Sequence, residues 1–245
     1  MIRLKGELAR RLKPPTAIKQ TQVRLKMTSP QNPIHFGPYE VTKQVFLTTA
    51  HTFALVNLKP LLPGHVLVCT SRPHKRLTDL SPPELTDLML AVQRVQRMLA
   101  RHYFLSSASS SPAAADPTSA GGSFNIALQD GAEAGQTVPH VHVHVIPRIR
   151  GSTERQQGAA EGPGDELYEG MAGEDGNVGG ALWDREVVAA AAAAVRARLG
   201  ERPTPGGGFP SIEDAERGMR EMGDMEAEAE VYRGVLKEME REEES

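Results

Sequence analysis

The most informative stretch of the 245-residue sequence alternates histidine with valine: residues 135–148 read GQTVPHVHVHVIPR. Successive side chains of a β-strand point to opposite faces. His140, His142 and His144 are therefore predicted to share one face, while the valines between them point into a core. A strand that serves only packing has no use for three titratable rings on one face, so the pattern indicates a chemical role.

Two kinds of chemistry suit three histidines on one strand face. Histidines two residues apart can share a zinc ion, although the neighbouring sequence supplies no carboxylate or thiolate ligand in a recognisable motif. Alternatively, a neutral imidazole is a good nucleophile near pH 7, and a cationic one stabilises phosphoryl charge. The lead-in at residues 135–138 would offer backbone N–H groups and polar side chains to phosphoryl oxygens. We expect phosphate chemistry, with no metal ion bound by the histidines.

The segments around this run predict the fold class. Residues 44–48, 53–58, 65–70, 123–129 and 140–147 have the composition of strands.

One helix is predicted to begin after Ser81, because Ser81 and Glu84 form a capping box and apolar residues then recur at helical spacing. A second, alanine-rich helix is expected at residues 182–199. Short connections favour an antiparallel sheet with two helices on one side, an α+β fold.

The composition also separates a folded part from less packed segments. We expect one domain at residues 33–200, with flexible loops at 106–122 and 151–180 that are rich in small and polar residues. Residues 201–245 are expected to be a linker followed by an acidic, helical tail. Because apolar residues are sparse in that tail, we expect it to be solvated rather than part of the core.

The first residues have a strongly basic composition. Residues 1–26 contain eight basic residues and one acidic residue, and we expect 1–32 to be a disordered leader or sequence upstream of a start at Met27. A mitochondrial transit peptide is an alternative, but serine is missing and Pro14-Pro15 interrupts any amphipathic helix. We expect a cytoplasmic protein, with a nuclear location as a further possibility.

Charge and cysteine content exclude several functional classes. Lys and Arg number 28 against 31 Asp and Glu, a balance that does not predict binding to nucleic acid. The single cysteine, Cys69, excludes an intramolecular disulfide framework and a multi-cysteine zinc site. The longest apolar run, residues 187–195, is shorter than the roughly 20 residues of a membrane-spanning helix, so we expect no membrane partner.

Further blocks of sequence accompany the histidines in a fixed order. They are 53–57 (FALVN), 59–60 (KP), 63–69 (PGHVLVC), 128–131 (LQDG) and 133–138 (EAGQTV). Together with the histidines they resemble the fragile histidine triad branch of the histidine triad (HIT) superfamily, which contains dinucleoside polyphosphate hydrolases of the bis(5'-adenosyl)-triphosphatase type. The resemblance spans about residues 33–150 and continues more weakly to about residue 199.

The resemblance implies a catalytic role for four histidines. His142 matches the nucleophile, which would attack the α-phosphorus of diadenosine triphosphate, form a nucleotidyl-histidine and yield AMP and ADP. His140 and His65 match residues that orient the nucleophilic ring. His144 matches a phosphate-site residue beside the scissile bond.

The resemblance also implies a substrate-binding set. Asn57 matches a ribose ligand, and Gln129 matches a polar contact to phosphate or ribose. Gly135, Gln136, Thr137 and Val138 match the phosphate loop, in which Gln136 joins His144 beside the scissile bond. Tyr168 matches a mobile aromatic over the second nucleotide. Tyr39 stands where the family often has histidine, and we expect its ring to stack on a base.

Finally, the resemblance implies an assembly and a cation. Family members form a symmetric homodimer with one continuous sheet, and a divalent cation, Mg²⁺ or Mn²⁺, is expected to accompany the polyphosphate. Two alternatives stay open: an adenosine phosphoramidase, in which a serine replaces Gln136, and a signalling protein that acts through a slowly hydrolysed nucleotide complex.

Overall fold

The fold is built on two antiparallel sheets. The computed structural model describes residues 32–104, 121–150, 170–171, 173–189, 192–204 and 220–244. Within these ranges the strands are β1 (His35–Phe36), β2 (Tyr39–Glu40), β3 (Val45–Thr48), β4 (Thr52–Val56), β5 (Val66–Thr70), β6 (Gly122–Leu128) and β7 (His142–Ile149). β1 and β2 form a small hairpin, and the other five strands form one sheet in the order β3-β4-β5-β7-β6.

An inner strand of the large sheet carries the histidine run. β7 lies between β5 and β6, and all its pairings are antiparallel. β4 and β5 are buried along their whole length, as expected for strands covered on both faces. The predicted α+β class with an antiparallel sheet is confirmed. β7 begins and ends two residues later than predicted.

Where two helices beside the sheet and a helical tail were expected, the described residues contain four helical segments. These are α1 (Pro82–Tyr103), α2 (Val178–Ala189), α3 (Ala192–Leu199) and α4 (Met222–Glu244). The predicted capping box opens α1, where the Ser81 N–H donates to Glu84 Oε2 over 3.0 Å. The helix expected at 182–199 is present: α2 and α3 are its described parts, and residues 190–191 between them lie outside the described residues. None of the helices in the described ranges has the length and apolar character needed to cross a membrane.

The expectation of a solvated acidic tail is wrong for α4. One face of this helix is buried, and its members are Met225, Ala229, Tyr232, Leu236 and Met239. These side chains belong to the main core, because α4 packs against β3, β4 and α1. Polar contacts add to this packing: Arg94 Nη2 lies 2.9 Å from Glu240 Oε1, and Arg233 Nη2 donates to the Val45 carbonyl over 2.7 Å.

Most of the remaining predicted segments lie outside the described residues. These are residues 1–31 of the leader and 105–120 and 151–169 of the two loops. Both loops end earlier than predicted. β6 already begins at Gly122, which pairs with Ile149. α2 begins at Val178, directly after Asn177, a fully buried residue whose amide donates to the carbonyl of Pro203 over 3.0 Å.

Candidate active site

Strand pairing places two of the predicted histidines side by side. His142 is paired with Cys69 and His144 with Leu67, so both histidines point to one face of the sheet, with ring centroids 5.0 Å apart. Val143 and Val145 point to the opposite face and are buried in the core. The predicted alternation is therefore present from His142 to Val145, whereas His140 precedes the strand, which begins at His142.

His65 and His144 form a direct hydrogen bond that fixes which nitrogen carries the proton in each ring. The Leu61 backbone N–H donates to His65 Nδ1 over 3.1 Å, so the proton of a neutral His65 is on Nε2. His65 Nε2 lies 3.0 Å from His144 Nδ1 and donates to it. The proton of His144 is consequently on Nε2, which is buried and has no hydrogen-bond partner among the described residues.

Backbone groups fix the other two rings in the same way. The Gly37 N–H donates to His140 Nδ1 over 2.9 Å, and His140 Nε2 donates to the Thr70 carbonyl over 2.6 Å. The carbonyl of His140 accepts a 2.7 Å bond from His142 Nδ1. Since a neutral imidazole carries one proton, His142 Nε2 keeps its lone pair.

Burial keeps all four rings neutral near pH 7. Desolvation lowers the pKa of His142 to about 4 and the pKa of His65 to about 3. It also lowers the pKa of His140, and it holds the pKa of His144 well below its usual range. The cause is the removal of a cationic ring from water. Neutral His142 therefore presents a nucleophilic nitrogen, and neutral His144 presents an N–H donor.

An aromatic ring from the small hairpin closes one side of the site. The Phe36 ring centroid lies 5.5 Å from His140 and 5.0 Å from His142, edge-on to the latter. The Phe53 ring lies 6.1 Å from His140. These apolar neighbours explain much of the desolvation, and the Gly37 bond ties the hairpin to the same histidine that it shields.

Asn57 is brought together with the histidines. It follows the end of β4 and is fully buried. Its amide nitrogen lies 3.4 Å from His65 Nδ1, the nitrogen that accepts, while its side-chain oxygen accepts a 3.1 Å bond from the Lys59 N–H. Gln129 is also buried, but its amide donates to the Met171 carbonyl over 2.9 Å, and no hydrogen bond within the described residues joins it to a histidine.

The segment predicted to be the phosphate loop is internally bonded at its start. The N–H of Gly135 donates to the Ala132 carbonyl over 2.9 Å, and the N–H of Gln136 donates to the Gly131 carbonyl over 3.0 Å. The expectation that these two N–H groups are open to phosphoryl oxygens is therefore not met, because a short helical turn uses them. Gly135 ends that turn at φ +89°, a conformation that favours glycine.

The side chains of this loop contact different neighbours. The Gln136 amide donates to the Lys75 carbonyl over 3.1 Å, and Thr137 Oγ1 accepts a 3.1 Å bond from the Gly179 N–H. Val138 is buried, and its carbonyl accepts a 2.7 Å bond from the N–H of His140. The loop thus leads directly into the histidines, and its Gln136 and Thr137 side chains are partly exposed.

Comparison with known proteins identifies the family. A family model described as the HIT domain matches residues 39–151. The bifunctional bis(5'-adenosyl)-triphosphatase/adenylylsulfatase of Arabidopsis thaliana is 38% identical over 157 residues, which cover 64% of this chain and 74% of that protein. The chain belongs to the fragile histidine triad branch of the HIT superfamily.

Two other proteins show how far the likeness to this HIT domain extends. The asymmetrical bis(5'-nucleosyl)-tetraphosphatase of Schizosaccharomyces pombe is 49% identical over 115 residues, 47% of this chain and 54% of that protein, so the chain matches about half of that relative. The solved diadenosine triphosphate hydrolase of Plasmodium falciparum is 26% identical to this chain. The matched region covers 87% of this chain and 89% of that protein, with a TM-score of 0.49.

Tyr39 does not line the site of this HIT domain as expected. Its ring is 2% exposed and belongs to the apolar core, and its hydroxyl donates to the Gly179 carbonyl over 3.1 Å. Burial raises its pKa to about 12. The structure makes it an anchor between the small hairpin and α2 rather than a surface for a base. Tyr168 lies outside the described residues.

The histidines are not arranged as a metal site. Within the residues that the structure describes, no group of three or more His, Cys, Asp or Glu side chains is placed to hold a metal ion. Six of the eight ring nitrogens of the four histidines are engaged in hydrogen bonds inside the protein. The remaining two, Nε2 of His142 and Nε2 of His144, are left as one acceptor and one donor.

Sequence reasoning missed the groups that assign these roles. The Leu61 N–H, the Gly37 N–H and the Thr70 carbonyl select the tautomers of His65 and His140. All three belong to the main chain, and every residue type except proline carries such groups. No residue pattern could therefore have revealed them before the fold brought these segments together.

Proposed function

We propose that this chain hydrolyses dinucleoside polyphosphates, with diadenosine triphosphate cleaved to AMP and ADP. The observation that carries the proposal is the pairing of two neutral imidazoles with opposite roles: His142 Nε2 holds a lone pair, and the buried Nε2–H of His144 lacks a partner within the described residues. The triphosphatase and tetraphosphatase activities named for the relatives support this substrate class.

In the first step His142 Nε2 attacks the α-phosphorus. An N–P bond forms and the P–O bond to the departing ADP breaks, so the ring becomes a cationic nucleotidyl-imidazole. Its Nδ1–H already donates to the His140 carbonyl over 2.7 Å, and this bond strengthens as positive charge develops. The Nε2–H of His144 donates to a phosphate oxygen, a role for a buried donor that is otherwise unsatisfied.

In the second step water attacks the same phosphorus. An O–P bond forms, the N–P bond breaks, and AMP leaves while water releases a proton to the solvent. His142 returns to its neutral form without needing a proton donor, because its Nδ1 proton stays in place throughout. Covalent catalysis of this kind replaces one difficult displacement with two easier ones.

A divalent cation, Mg²⁺ or Mn²⁺, is proposed to arrive with the substrate. The histidine nitrogens do not suit a cation site, since six of the eight are already bonded within the protein. Phosphate oxygens of the substrate would therefore hold the ion, and its contribution would be to neutralise their charge.

Substrate choice tests this function and its phosphoramidase alternative. Gln136 supplies no hydroxyl that could protonate a leaving amine, whereas ADP and ATP leave as anions. We expect kcat/KM for diadenosine triphosphate to exceed that for an adenosine phosphoramidate, and to be at least equal to that for diadenosine tetraphosphate. Gln136→Ser should narrow the gap to the phosphoramidate. A wild-type protein that prefers the phosphoramidate would favour the alternative.

We further propose a homodimer that forms through the β6 edge. Among the described strands, β6 is the outer one on the side away from α4, which packs on β3 at the other edge. Ile126 on β6 is 39% exposed, and Leu85 and Met89 on α1 are 40% and 51% exposed. Helical geometry puts Leu85 and Met89 on the flank of α1 opposite the arginines that bind α4. A second copy paired along β6 would continue the sheet and cover this patch.

The expected dimer can be tested by analytical ultracentrifugation. Ile126→Glu places a charge at the proposed interface and should yield monomers in the micromolar range. Val188→Glu is the matched control, since Val188 is an apolar residue that is 86% exposed on α2, and it should leave the dimer intact. A wild-type monomer at these concentrations would contradict the proposed interface.

A further inference from the structure

The C-terminal helix reaches the segment that carries two of the site residues. α4 and Arg220, which lies two residues before it, come after residue 151, where the match to the HIT model ends. The backbone N–H of Arg220 nevertheless donates to the carbonyl of Leu58 over 3.2 Å. Leu58 stands between Asn57 and Lys59, so this bond holds the chain directly beside the buried Asn57 amide.

A polar network continues from Arg220 into the core. The guanidinium of Arg220 forms an ion pair with Glu228. The other oxygen of Glu228 accepts a 2.5 Å bond from the Tyr232 hydroxyl, which lies 2.9 Å from the hydroxyl of Tyr103 at the end of α1. Tyr232 is fully buried, so its hydroxyl depends on these partners for hydrogen bonding.

The network ends against the residue that precedes His65. The Tyr103 ring packs so closely on Gly64 that a Cβ at that position would lie 2.5 Å from Tyr103 Cε2. Gly64 has φ +77°, so the turn into His65 depends both on glycine and on the location of that ring. His65 in turn donates the hydrogen bond that leaves the proton of His144 on Nε2.

We propose that residues 220–244 form a positioning element for the segment from Asn57 to His65. The Arg220 N–H holds the Leu58 carbonyl. The hydrogen bonds among Glu228, Tyr232 and Tyr103 hold the Tyr103 ring against Gly64. The helix touches neither the substrate nor the reacting atoms, and it acts through Asn57 and His65. This inference rests on the proposed role of these two residues in nucleotide hydrolysis.

Two carboxylate-to-amide changes on the same helix provide the test in the full-length protein. Glu228→Gln removes the charge that holds Arg220 and weakens the acceptor of the tyrosines. Glu240→Gln, the matched control, removes a similar ion pair with Arg94 that lies away from the Asn57–His65 segment. We expect Glu228→Gln to raise KM and lower kcat for diadenosine triphosphate, with kcat/KM reduced about 3- to 10-fold, the effect of losing one hydrogen bond. Glu240→Gln should leave both constants unchanged.

A second readout does not depend on catalysis. The ¹⁵N resonances of His65 and His144 report the tautomer of each imidazole, and Glu228→Gln should shift them while Glu240→Gln should not. If wild type lacks hydrolytic activity, the proposed function fails and these resonances alone decide the inference. If Glu228→Gln lowers only the unfolding temperature, with kinetic constants and resonances like those of Glu240→Gln, the helix has no positioning role.

Discussion

His142→Asn should reduce kcat for diadenosine triphosphate by about 10⁴-fold or more, the scale seen when a nucleophile is removed. Asparagine can keep the bond to the His140 carbonyl, because its amide nitrogen can stand where His142 Nδ1 donates over 2.7 Å. It has no counterpart to the Nε2 lone pair. The variant should therefore stay folded and bind substrate with a similar Kd, and the loss should fall on kcat.

Stopped-flow turnover and equilibrium binding of substrate to the variant would separate these effects. His51→Gln is a suitable control, because the His51 side chain is exposed. The His51 N–H donates to the carboxylate of Asp87 on α1, away from the four buried histidines. It should retain wild-type constants. If His142→Asn keeps more than a few per cent of wild-type turnover, another group is the nucleophile.

The second large effect is a loss of stability in acid. The pKa of His142 is lowered to about 4 and that of His65 to about 3, and the pKa values of His140 and His144 are lowered as well. In the unfolded chain each ring titrates near its ordinary value of about 6.5. Below that pH the unfolded state binds more protons than the folded state, so unfolding becomes more favourable as the pH falls.

The stabilisation is therefore complete above about pH 6.5 and decreases towards pH 4. His142 and His65, whose pKa values are lowered to below pH 5, each contribute up to about 1.4 kcal/mol per pH unit, so by about pH 5 the loss is a substantial part of the stability of a domain. Urea unfolding at pH 7.5, 6.0 and 5.0 should show a steep fall in the midpoint. The same fall is expected for His51→Gln, whereas a midpoint that does not change with pH would show that the four rings are solvated.

The placement of His142 and His144 was predictable because it depends on a local rule. Alternation along one strand put His142 and His144 on one face without any knowledge of neighbouring strands. The sequence could not predict the protonation of each ring, since Gly37, Leu61 and Thr70 supply those bonds from separate segments through their backbones. Tyr39 was assigned wrongly because it occupies a position where the family often has histidine. In the structure its hydroxyl instead donates to the Gly179 carbonyl in α2.

The packing of α4 was missed for a different reason. Its buried residues recur at steps of four and three, from Met225 through Ala229, Tyr232 and Leu236 to Met239. That spacing is the pattern of one apolar helix face, but the high glutamate content concealed it. Several glutamates of α4 form ion pairs rather than being only solvated. The pairs are Glu228 with Arg220, Glu240 with Arg94 and Glu242 with Arg101.

The central claim is that His142 forms a covalent intermediate, and the stereochemistry of the reaction tests it most directly. A dinucleoside triphosphate made chiral at the α-phosphorus by sulfur substitution would be hydrolysed in ¹⁸O-labelled water, and the configuration of the nucleoside phosphorothioate product would be determined. Two successive displacements, first by His142 Nε2 and then by water, invert the phosphorus twice. We therefore predict net retention of configuration, whereas net inversion would mean that water attacks the substrate directly and would contradict the role assigned to His142.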